Sequence, residues 1–399
     1  YDPHHPYDPP EPWRSRFPGE EAYQGEIAYA DHSLGTILEF LKGSGVWDRT
    51  VVVVVGDHGE GLGEHGEDTH SMLAYNSTLR VPLIIRAPSG LGAGVRVVER
   101  VGTVDILPTI LDLLDLPLPD DIQGRSLAPH LRGVASADVG DNPYYAETLS
   151  PRLSHGWGEL RALYHGGLKY VHGPRPELYE VRTDPDELHD LVARSPGDAT
   201  RMRDRLATFL EGCEAAERGG AVHELDRDSR LRLEALGYIS VASEGPSEIR
   251  EELRSDGVTP QDRVGDISLQ SQVKQHLETR QFLSAKELAR DLVNRDPDNA
   301  FNRSMLALAY IGLGQIDNAA QVAEQSATVA ASHDAVFLNV ARRLFAAGDE
   351  ERAIGLVQRV LEAGPSAYGT YLLAEMRWQQ GNADDGLRLL GEALELDPS

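Results

Sequence analysis

Hydrophobic positions in the first part of the chain recur at spacings that predict helices and strands in succession. Residues 20–42 carry apolar side chains at helical spacing, and we expect this helix to end at Gly43. Residues 50–55 form a β-branched run without a polar interruption, which predicts a strand buried on both faces of a parallel sheet. Residues 81–86 and 96–100 are predicted as two further strands. Helices that alternate with such strands are typical of an α/β domain.

A different pattern follows farther along the chain. Asp105 precedes an apolar stretch over 106–114, so we predict that it caps a helix whose first turn contains Pro108. A helix is also predicted over residues 199–210. Between these helices, glycine and proline turns separate short runs that predict a small antiparallel sheet. The predicted strands of this sheet are residues 160–164, 168–171 and 177–181.

Small residues recur with a period of about 34 near the carboxyl end of the chain. Gly314, Gly348 and Gly381 lie 34 and 33 residues apart, and Arg280 occupies the same phase one period earlier. Alanine or glycine stands five residues after each of these positions. Such a repeat predicts stacked antiparallel helix pairs with the glycine in the turn between helices. The pattern resembles the tetratricopeptide repeat (TPR), in about three and a half copies.

These patterns divide the chain into three parts. We expect an α/β domain over residues 1–240, an interdomain linker over 241–265 and the helical repeats over 266–399. The linker is predicted because its residues are mostly polar and include glycine and proline.

The composition is that of a globular protein of two or three domains, with 399 residues, 41% hydrophobic and 26% charged. The formal net charge of −26 argues against nucleic acid or an anionic membrane as a partner, because polyanions are repelled. A small anionic substrate is still compatible with this charge, since a metal ion or local cations can reverse the field in one cleft. The longest apolar run, residues 51–55, is far shorter than the roughly 20 residues of a membrane-spanning helix.

The only cysteine, Cys213, excludes an intrachain disulfide and a cysteine-based zinc cluster. The chain begins with Tyr1 rather than methionine and shows no signal peptide, so we expect a piece of a longer product. The sequence leaves the compartment open, and a signal before residue 1 would make the protein extracytoplasmic.

Candidate chemistry begins directly after the predicted strand at 50–55, in the segment Gly-Asp-His-Gly-Glu. Open α/β sheets bind ligands at the carboxyl ends of their strands. Asp57 offers a carboxylate oxygen and His58 an imidazole nitrogen, so the two neighbours can reach one divalent cation. The alternative is a capped turn without a ligand.

Further histidines lie close by in sequence. His58, His65 and His70 are three of the 14 histidines of the chain, within a glycine-rich loop. His4 and His5 stand in a proline-rich segment, and prolines can stiffen a segment that presents side chains to a cleft. The alternatives are a solvated loop and a loose chain terminus.

Over about residues 1–240, the chain resembles the sulfatases of the alkaline phosphatase superfamily. The motifs DPHHPYDPP, VVVVVGDHGEGLGEHG, LRVPLIIRAP and VGTVDILPTILDLL occur in the family's order, followed by the stretch WGELRALYHGGLKYVHG and by ALGYI at 235–239. The resemblance implies part of an alkaline-phosphatase-like α/β sandwich, with a mostly parallel sheet and a small antiparallel carboxyl-terminal sheet. An all-α TPR solenoid is expected to follow.

The resemblance also implies roles for individual residues. Asp57 and His58 match the family's metal ligands, and the ion is expected to be calcium, with manganese or zinc left open by the imidazole. His4 matches a histidine that contacts the sulfate or leaving-group oxygen. His70 stands where many members have a sulfate-binding lysine. His5 and His65 match more weakly and are expected beside the site or on the surface.

One part of the family's site is absent from this sequence. No Cys, Ser or Thr is followed by Pro at the second position and Arg at the fourth, which is the motif that becomes the formylglycine nucleophile. Cys213 lies in EGCEAAE, on a helical stretch, and cannot replace it. We therefore expect the nucleophile, and a second pair of aspartate ligands, outside this chain, and we expect the isolated chain to be inactive or nearly so.

Three functions are compatible with these patterns. The first is a metal-dependent hydrolase of sulfate esters whose repeats bind a protein or peptide partner. The second is a hydrolase or phosphotransferase for phosphate or phosphonate esters, which the Asp-His pair also suits. The third belongs to another class, a non-catalytic TPR interaction protein with a degenerate sulfatase domain.

Overall fold

The computed structural model describes residues 3–120, 122–134, 142–216, 253–325 and 334–396. Six strands and a larger number of helices occur among them. The strands are β1 (Val52–Val55), β2 (Leu83–Arg86), β3 (Tyr144–Thr148), β4 (Leu160–His165), β5 (Leu168–His172) and β6 (Glu177–Glu180). The helices of the first part are α1 (Trp13–Arg16), α2 (Ala22–Gly43), α3 (Asn76–Leu79), α4 (Ile106–Leu113), α5 (Ala128–Leu131), α6 (Ser150–His155) and α7 (Pro196–Ala216). The helices of the second part are α8 (Gly265–Glu278), α9 (Phe282–Arg295), α10 (Ala300–Gly312), α11 (Ile316–Glu324), α12 (Asp334–Ala346), α13 (Glu350–Ala363), α14 (Ala367–Gln379) and α15 (Ala383–Leu396).

The first sheet differs from the prediction in its strand direction. Strand β1 pairs with β2 in antiparallel fashion, with Val52 opposite Arg86, and the prediction of a parallel pair was wrong for these two strands. Strand β1 is also only partly buried, and Val55 is 40% exposed. A β-branched run is compatible with either strand direction, and the direction here follows from the loop that brings β2 back beside β1.

The third strand predicted in this region does not form. Residues 96–100 have no strand in the structure. The guanidinium of Arg100 instead lies over the ring of Tyr164, 4.6 Å from its centroid. A contact with the second sheet thus takes the place of strand pairing in this segment.

Helix α4 begins after Asp105 as predicted, but the carboxylate does not cap it. A 3-10 turn precedes the helix, so Asp105 already has helical backbone angles. Its side chain accepts hydrogen bonds from the backbone N–H groups of Gly102 (2.9 Å) and Arg125 (3.0 Å) and from the hydroxyl of Tyr144 (2.7 Å). The buried carboxylate therefore ties α4 to a neighbouring loop and to strand β3.

The predicted antiparallel sheet is confirmed, and it gains one strand. Its order is β3-β4-β5-β6, with Leu163 opposite Tyr170 in the register of β4 and β5. Alternate residues of the strands enter two different cores, as the two-residue period of a strand requires. Leu163 and Tyr170 pack against α7, whereas Ala162 packs on the other face against residues 72–75. The second core holds the loop that carries the candidate site.

The carboxyl-terminal part is an array of helices in which each helix packs against the next. Gly314, Gly348 and Gly381 have positive φ angles of 72°, 91° and 80° in turns between helices, as the period predicted. Arg280, in the same phase, also has a positive φ of 58°, a conformation that favours glycine. The helix-rich organisation predicted from the repeats is therefore present.

Two of the predicted segments cannot be compared with the structure. Residues 235–239 and the linker up to residue 252 lie outside the described residues, so the domain boundaries stay predictions.

Among the helices that the structure describes, none combines the length and the apolar character needed to cross a membrane.

Candidate active site

Three imidazoles from distant parts of the sequence meet beyond the end of strand β1. The ring centroids of His58 and His70 are 4.0 Å apart, and those of His4 and His70 are 5.3 Å apart. We call His4, His58 and His70 the histidine cluster. Asp57 precedes His58 and has an exposed side chain. The structure thus brings together His4, His58 and His70, and Asp57 is the chain neighbour of His58.

Two glycines allow the loop after β1 to fold tightly. A Cβ atom on Gly59 would lie 2.2 Å from the carbonyl oxygen of Ser77, and one on Gly61 would lie 2.5 Å from that of Glu67. The Gly59 N–H donates to the carbonyl oxygen of Thr78 (2.7 Å). Only glycine permits these close backbone approaches, which return the chain so that His70 stands beside His58.

The ring of His58 is oriented by its own turn. Its Nδ1 donates to the carbonyl oxygen of Gly59 (2.7 Å), so Nε2 is the nitrogen left for a ligand. Asp57 Oδ1 accepts the backbone N–H of His58 (3.0 Å). One carboxylate and one imidazole nitrogen therefore stand on consecutive residues.

The ring of His70 is held by a glutamate that sequence reasoning did not assign. His70 Nδ1 donates to Glu60 Oε1 at 2.9 Å, and the Glu60 side chain is only 4% exposed. A carboxylate that accepts one ring N–H fixes the tautomer and the direction of the imidazole. The sequence signal was the place of Glu60 at the end of the Gly-Asp-His-Gly-Glu segment.

His4 is also anchored by a glutamate that the sequence analysis missed. Glu26, on α2, is 2% exposed, and its two oxygens accept the backbone N–H groups of His4 (2.9 Å) and Asp8 (2.7 Å). His4 Nδ1 donates to the carbonyl oxygen of His5 (2.7 Å). The proline-rich segment is therefore held against α2 rather than loose. The signal was a glutamate next to Gly25, and a Cβ on Gly25 would meet Pro9 at 2.9 Å.

The two weaker candidates have other surroundings. His5 is exposed, and its ring lies 5.7 Å from that of Tyr7. His65 stacks on Tyr75 at 3.7 Å, and its Nε2 donates to the carbonyl oxygen of Asp186 (2.9 Å). His65 thus links the loop to the second sheet region and is a natural control for the histidine cluster.

The carboxylate of Glu60 also raises the pKa of two tyrosines, Tyr7 and Tyr23. Tyr7 and Tyr23 lie with their ring centroids 5.3 Å apart. Burial raises the pKa of the Tyr7 hydroxyl above its usual range, and the negative charge of Glu60 raises it further. The pKa of Tyr23 is raised by the same two causes. Both hydroxyls therefore stay protonated at neutral pH and are hydrogen-bond donors.

Asp57 and His58 fit a divalent cation by the chemistry of their donors, but only as part of its coordination shell. Among the residues that the structure describes, no group of three or more His, Cys, Asp or Glu side chains could hold a metal ion. Hard cations such as calcium take six to eight oxygen ligands. Asp57 and His58 would therefore supply only two ligands of such a shell.

Glu67, in the same loop, is expected to make stability depend on pH. It is 2% exposed, and burial raises its pKa to about 7, although hydrogen bonds from the backbone N–H groups of Met72 and Leu73 lower it. The folded state therefore binds more protons than the unfolded state, and the free energy of unfolding should fall as the pH rises from about 4.5 to about 7. Glu67→Gln should remove this fall and raise stability at pH 8 by about 1–3 kcal/mol.

Chemical denaturation at pH 5 and pH 8 tests this expectation. Glu64→Gln is the matched control, because Glu64 lies in the same loop and is exposed. A Glu67→Gln protein that keeps the pH dependence of the parent would contradict it.

The first half of the chain matches known protein families. Residues 1–116 match the family model for sulfatases, and residues 63–213 match the model for the carboxyl-terminal region of N-sulphoglucosamine sulphohydrolase. The first half of the chain is therefore a domain of the sulfatase family, within the alkaline phosphatase superfamily.

The curated relatives are sulfatases. Arylsulfatase K of Bos taurus is 29% identical over 214 residues, which cover 51% of this chain and 38% of that protein. N-acetylglucosamine-6-O-sulfatase of Bacteroides thetaiotaomicron is 31% identical over 187 residues, which cover 45% and 33%. The chain thus spans little more than a third of the length of these relatives.

Two solved structures are similar to part of the chain. A phosphonate monoester hydrolase of Agrobacterium radiobacter is 28% identical with a TM-score of 0.41, over 47% of this chain and 40% of that one. A 2-O GAG sulfatase is 26% identical with a TM-score of 0.44, over 55% and 47%. The family assignment comes from the sequence matches.

Proposed function

We propose that this chain is part of a metal-dependent hydrolase of sulfate esters, whose substrate docks against the histidine cluster. The observation that carries the proposal is the meeting of His4, His58 and His70 beside Asp57, within a sulfatase-family domain. The curated relatives are sulfatases, which favours a sulfate ester over a phosphate ester as the substrate.

In this proposal Asp57 and His58 supply two ligands of the metal ion. A carboxylate oxygen suits calcium, and the imidazole nitrogen also suits manganese or zinc. The bound ion would withdraw charge from the sulfate oxygens in the transition state. His58 can take this role because its Nδ1 is already bonded to Gly59, which leaves Nε2 for the metal.

The other two imidazoles would act on the substrate directly. His70 donates Nδ1–H to Glu60, so its imidazolium form would present Nε2–H as the donor to a sulfate oxygen. His4 donates Nδ1–H to the His5 carbonyl, so the proton that would pass to the leaving alcohol oxygen is the Nε2–H of the imidazolium form, and the neutral ring would remain once the sulfur–oxygen bond has broken. Cationic and N–H groups placed in this way make a local anion site in an acidic protein.

The nucleophile, a formylglycine, would lie on a segment that precedes Tyr1. The helical array would consist of tetratricopeptide-type repeats that bind a protein or peptide partner. The repeat period and the positive φ angles at Gly314, Gly348 and Gly381 support this assignment.

The direct test compares two esters on two proteins. The protein extended through the segment before Tyr1 should hydrolyse 4-nitrophenyl sulfate faster than 4-nitrophenyl phosphate, and the 399-residue chain alone should hydrolyse neither. Faster turnover of the phosphate ester would overturn the substrate assignment. Turnover of the sulfate by the 399-residue chain would overturn the location of the nucleophile.

Removing the proposed metal ligand gives a second test. In the extended protein, Asp57→Ala should lower both the metal content and the rate, with a loss in kcat of about 10²-fold or more, because charge on the sulfate oxygens would lose its counterion. Asp48→Ala is the control, since Asp48 precedes β1 and its side chain is 94% exposed. Unchanged metal content and rate in Asp57→Ala would show that the ligand assignment is wrong.

A further inference from the structure

The start of the helical array lies directly on the sulfatase-family domain. The backbone N–H of Gly158 donates to the carbonyl oxygen of Val258 (2.8 Å). Arg175 and Asp262 form an ion pair at 2.5 Å. Residues 253–264, the described end of the predicted linker, are therefore bonded to the domain along their length rather than free of it.

Val264, the residue before helix α8, enters the core beneath the loop of the histidine cluster. It is 5% exposed and packs in one cluster with Met72, Leu73 and Tyr75. A Cβ atom on Gly66 would lie 3.3 Å from its Cγ1. An apolar side chain directly before the first helix of the array is thus part of the support of the loop over residues 61–75.

A second contact reaches the same loop one turn farther along α8. The hydroxyl of Ser268 donates to the carboxylate of Asp68, two residues before His70. Within the loop, the Glu67 carboxylate accepts hydrogen bonds from the backbone N–H groups of Met72 (2.7 Å) and Leu73 (3.2 Å). His70 therefore lies in a short closed segment that the array touches at both ends.

The loop needs such support because it has little regular structure. Its only helical element is the 3-10 turn Glu64–Gly66, and His65 and Ser71 have positive φ angles of 54° and 85°. Backbone conformations of this kind persist only when surrounding contacts hold them. The packing of Val264 and the Ser268 hydroxyl are two of those contacts.

The array is fixed in place on its other side by a buried aromatic anchor. Trp157 is 1% exposed, and its Nε1 donates to Asp296 Oδ2 at 2.9 Å. Asn299 Nδ2 also donates to Asp296 Oδ2 (3.1 Å). His155 stacks on Trp157 at 4.5 Å and meets Phe301 at 5.6 Å. Because this anchor joins the first repeat to the domain, movement of α8 relative to the loop is restricted.

We propose that Val264 is a positioning residue, through which the helical array holds the loop of His70 in its binding conformation. The array is then part of the support of the site and not only a separate module for a partner. The packing part of this inference stands on the contacts alone, whereas its kinetic consequence rests on the proposed function, in which His70 binds the sulfate.

Hydrogen exchange tests the packing in the 399-residue chain without any turnover. Val264→Ala should raise the exchange rate of amides in residues 61–75 about tenfold, because local opening becomes easier when the core contact is lost. Val360→Ala is the matched control, since Val360 is 3% exposed in the array but lies on α13. It should leave the exchange of this loop unchanged.

A milder variant distinguishes local loosening of the loop from a general loss of folding. Ser268→Ala removes only the hydroxyl that donates to Asp68, and it should raise exchange in residues 61–75 by a smaller factor of about two to five. Equal loop exchange in Val264→Ala, Ser268→Ala and Val360→Ala would overturn the proposal.

Kinetics in the extended protein then separate positioning from general damage. Val264→Ala should raise KM for 4-nitrophenyl sulfate about five- to tenfold with kcat changed less than about twofold, the pattern of lost substrate binding. A fall in kcat with unchanged KM would overturn the proposed link to His70. Faster loop exchange in a protein without sulfatase activity would support the packing while contradicting the proposed function.

Discussion

Replacing Glu187 with alanine should lower the free energy of unfolding at pH 7 by about 3–5 kcal/mol, because it leaves a buried ammonium group without its counterion. Lys169, on β5, and Glu187 have side chains 0% and 1% exposed, with Nζ and Oε1 2.5 Å apart. Burial lowers the pKa of Lys169 to about 8, even though the charge of Glu187 raises it. The second oxygen of Glu187 accepts the backbone N–H of Asn76 (2.6 Å), so the pair also joins the sheet to the start of helix α3.

Urea denaturation of two further variants tests the cause. Glu39→Ala removes an ion pair with Lys42 of similar length, 2.8 Å, but on the surface, and it should cost no more than about 0.5 kcal/mol. A double change, Lys169→Met with Glu187→Leu, should recover most of the loss, because no charge is then buried. If Glu187→Ala cost as little as Glu39→Ala, the pair would not have the energetic role that its burial indicates.

Replacing His70 with alanine in the extended protein should lower kcat/KM for an aryl sulfate about 10²–10³-fold, the usual loss when one anion-binding donor is removed. The imidazole stands between His4 and His58, and it is the hydrogen-bond partner of the nearly buried Glu60 carboxylate. Without it, that carboxylate would face the place where the sulfate docks, and the two negative charges would repel each other.

Two matched variants make this result specific. His65→Ala removes an imidazole from the same loop, but one that stacks on Tyr75, and it should lower kcat/KM less than about tenfold. His70→Lys restores a donor and should stay within about tenfold of the parent, if the role of the side chain is to bind the anion. Equal losses in His70→Ala and His65→Ala would contradict the role given to His70.

Much of the candidate site was accessible from the sequence, because its residues follow recognisable elements. Asp57 and His58 come directly after a β-branched strand, and this placement depends on local pattern alone. His4 and His70 were singled out by their proline-rich and histidine-rich neighbourhoods. The structure places the ring of His4 beside that of His70, and the ring of His70 beside that of His58. Their catalytic and metal-binding roles stay predictions.

The groups that orient those imidazoles were not predicted. Glu26 and Glu60 are carboxylates in an acidic chain, and their sequence positions do not distinguish them from solvated ones. What distinguishes them is burial at 2% for Glu26 and 4% for the Glu60 side chain, together with the N–H groups they accept. Burial of a charge depends on contacts between residues far apart in the chain.

The sequence by itself determined the local elements: helix α2, strands β4, β5 and β6 of the second sheet, and the phase of the helical array with glycine in its turns. These follow from side-chain periodicity and from backbone preferences, which act between near neighbours. Only the tertiary structure decided the antiparallel pairing of β1 with β2, the meeting of three imidazoles, and the packing of Val264 beneath their loop. Each of these brings together residues distant in the sequence, and such contacts are selected by the total free energy of packing rather than by local preference.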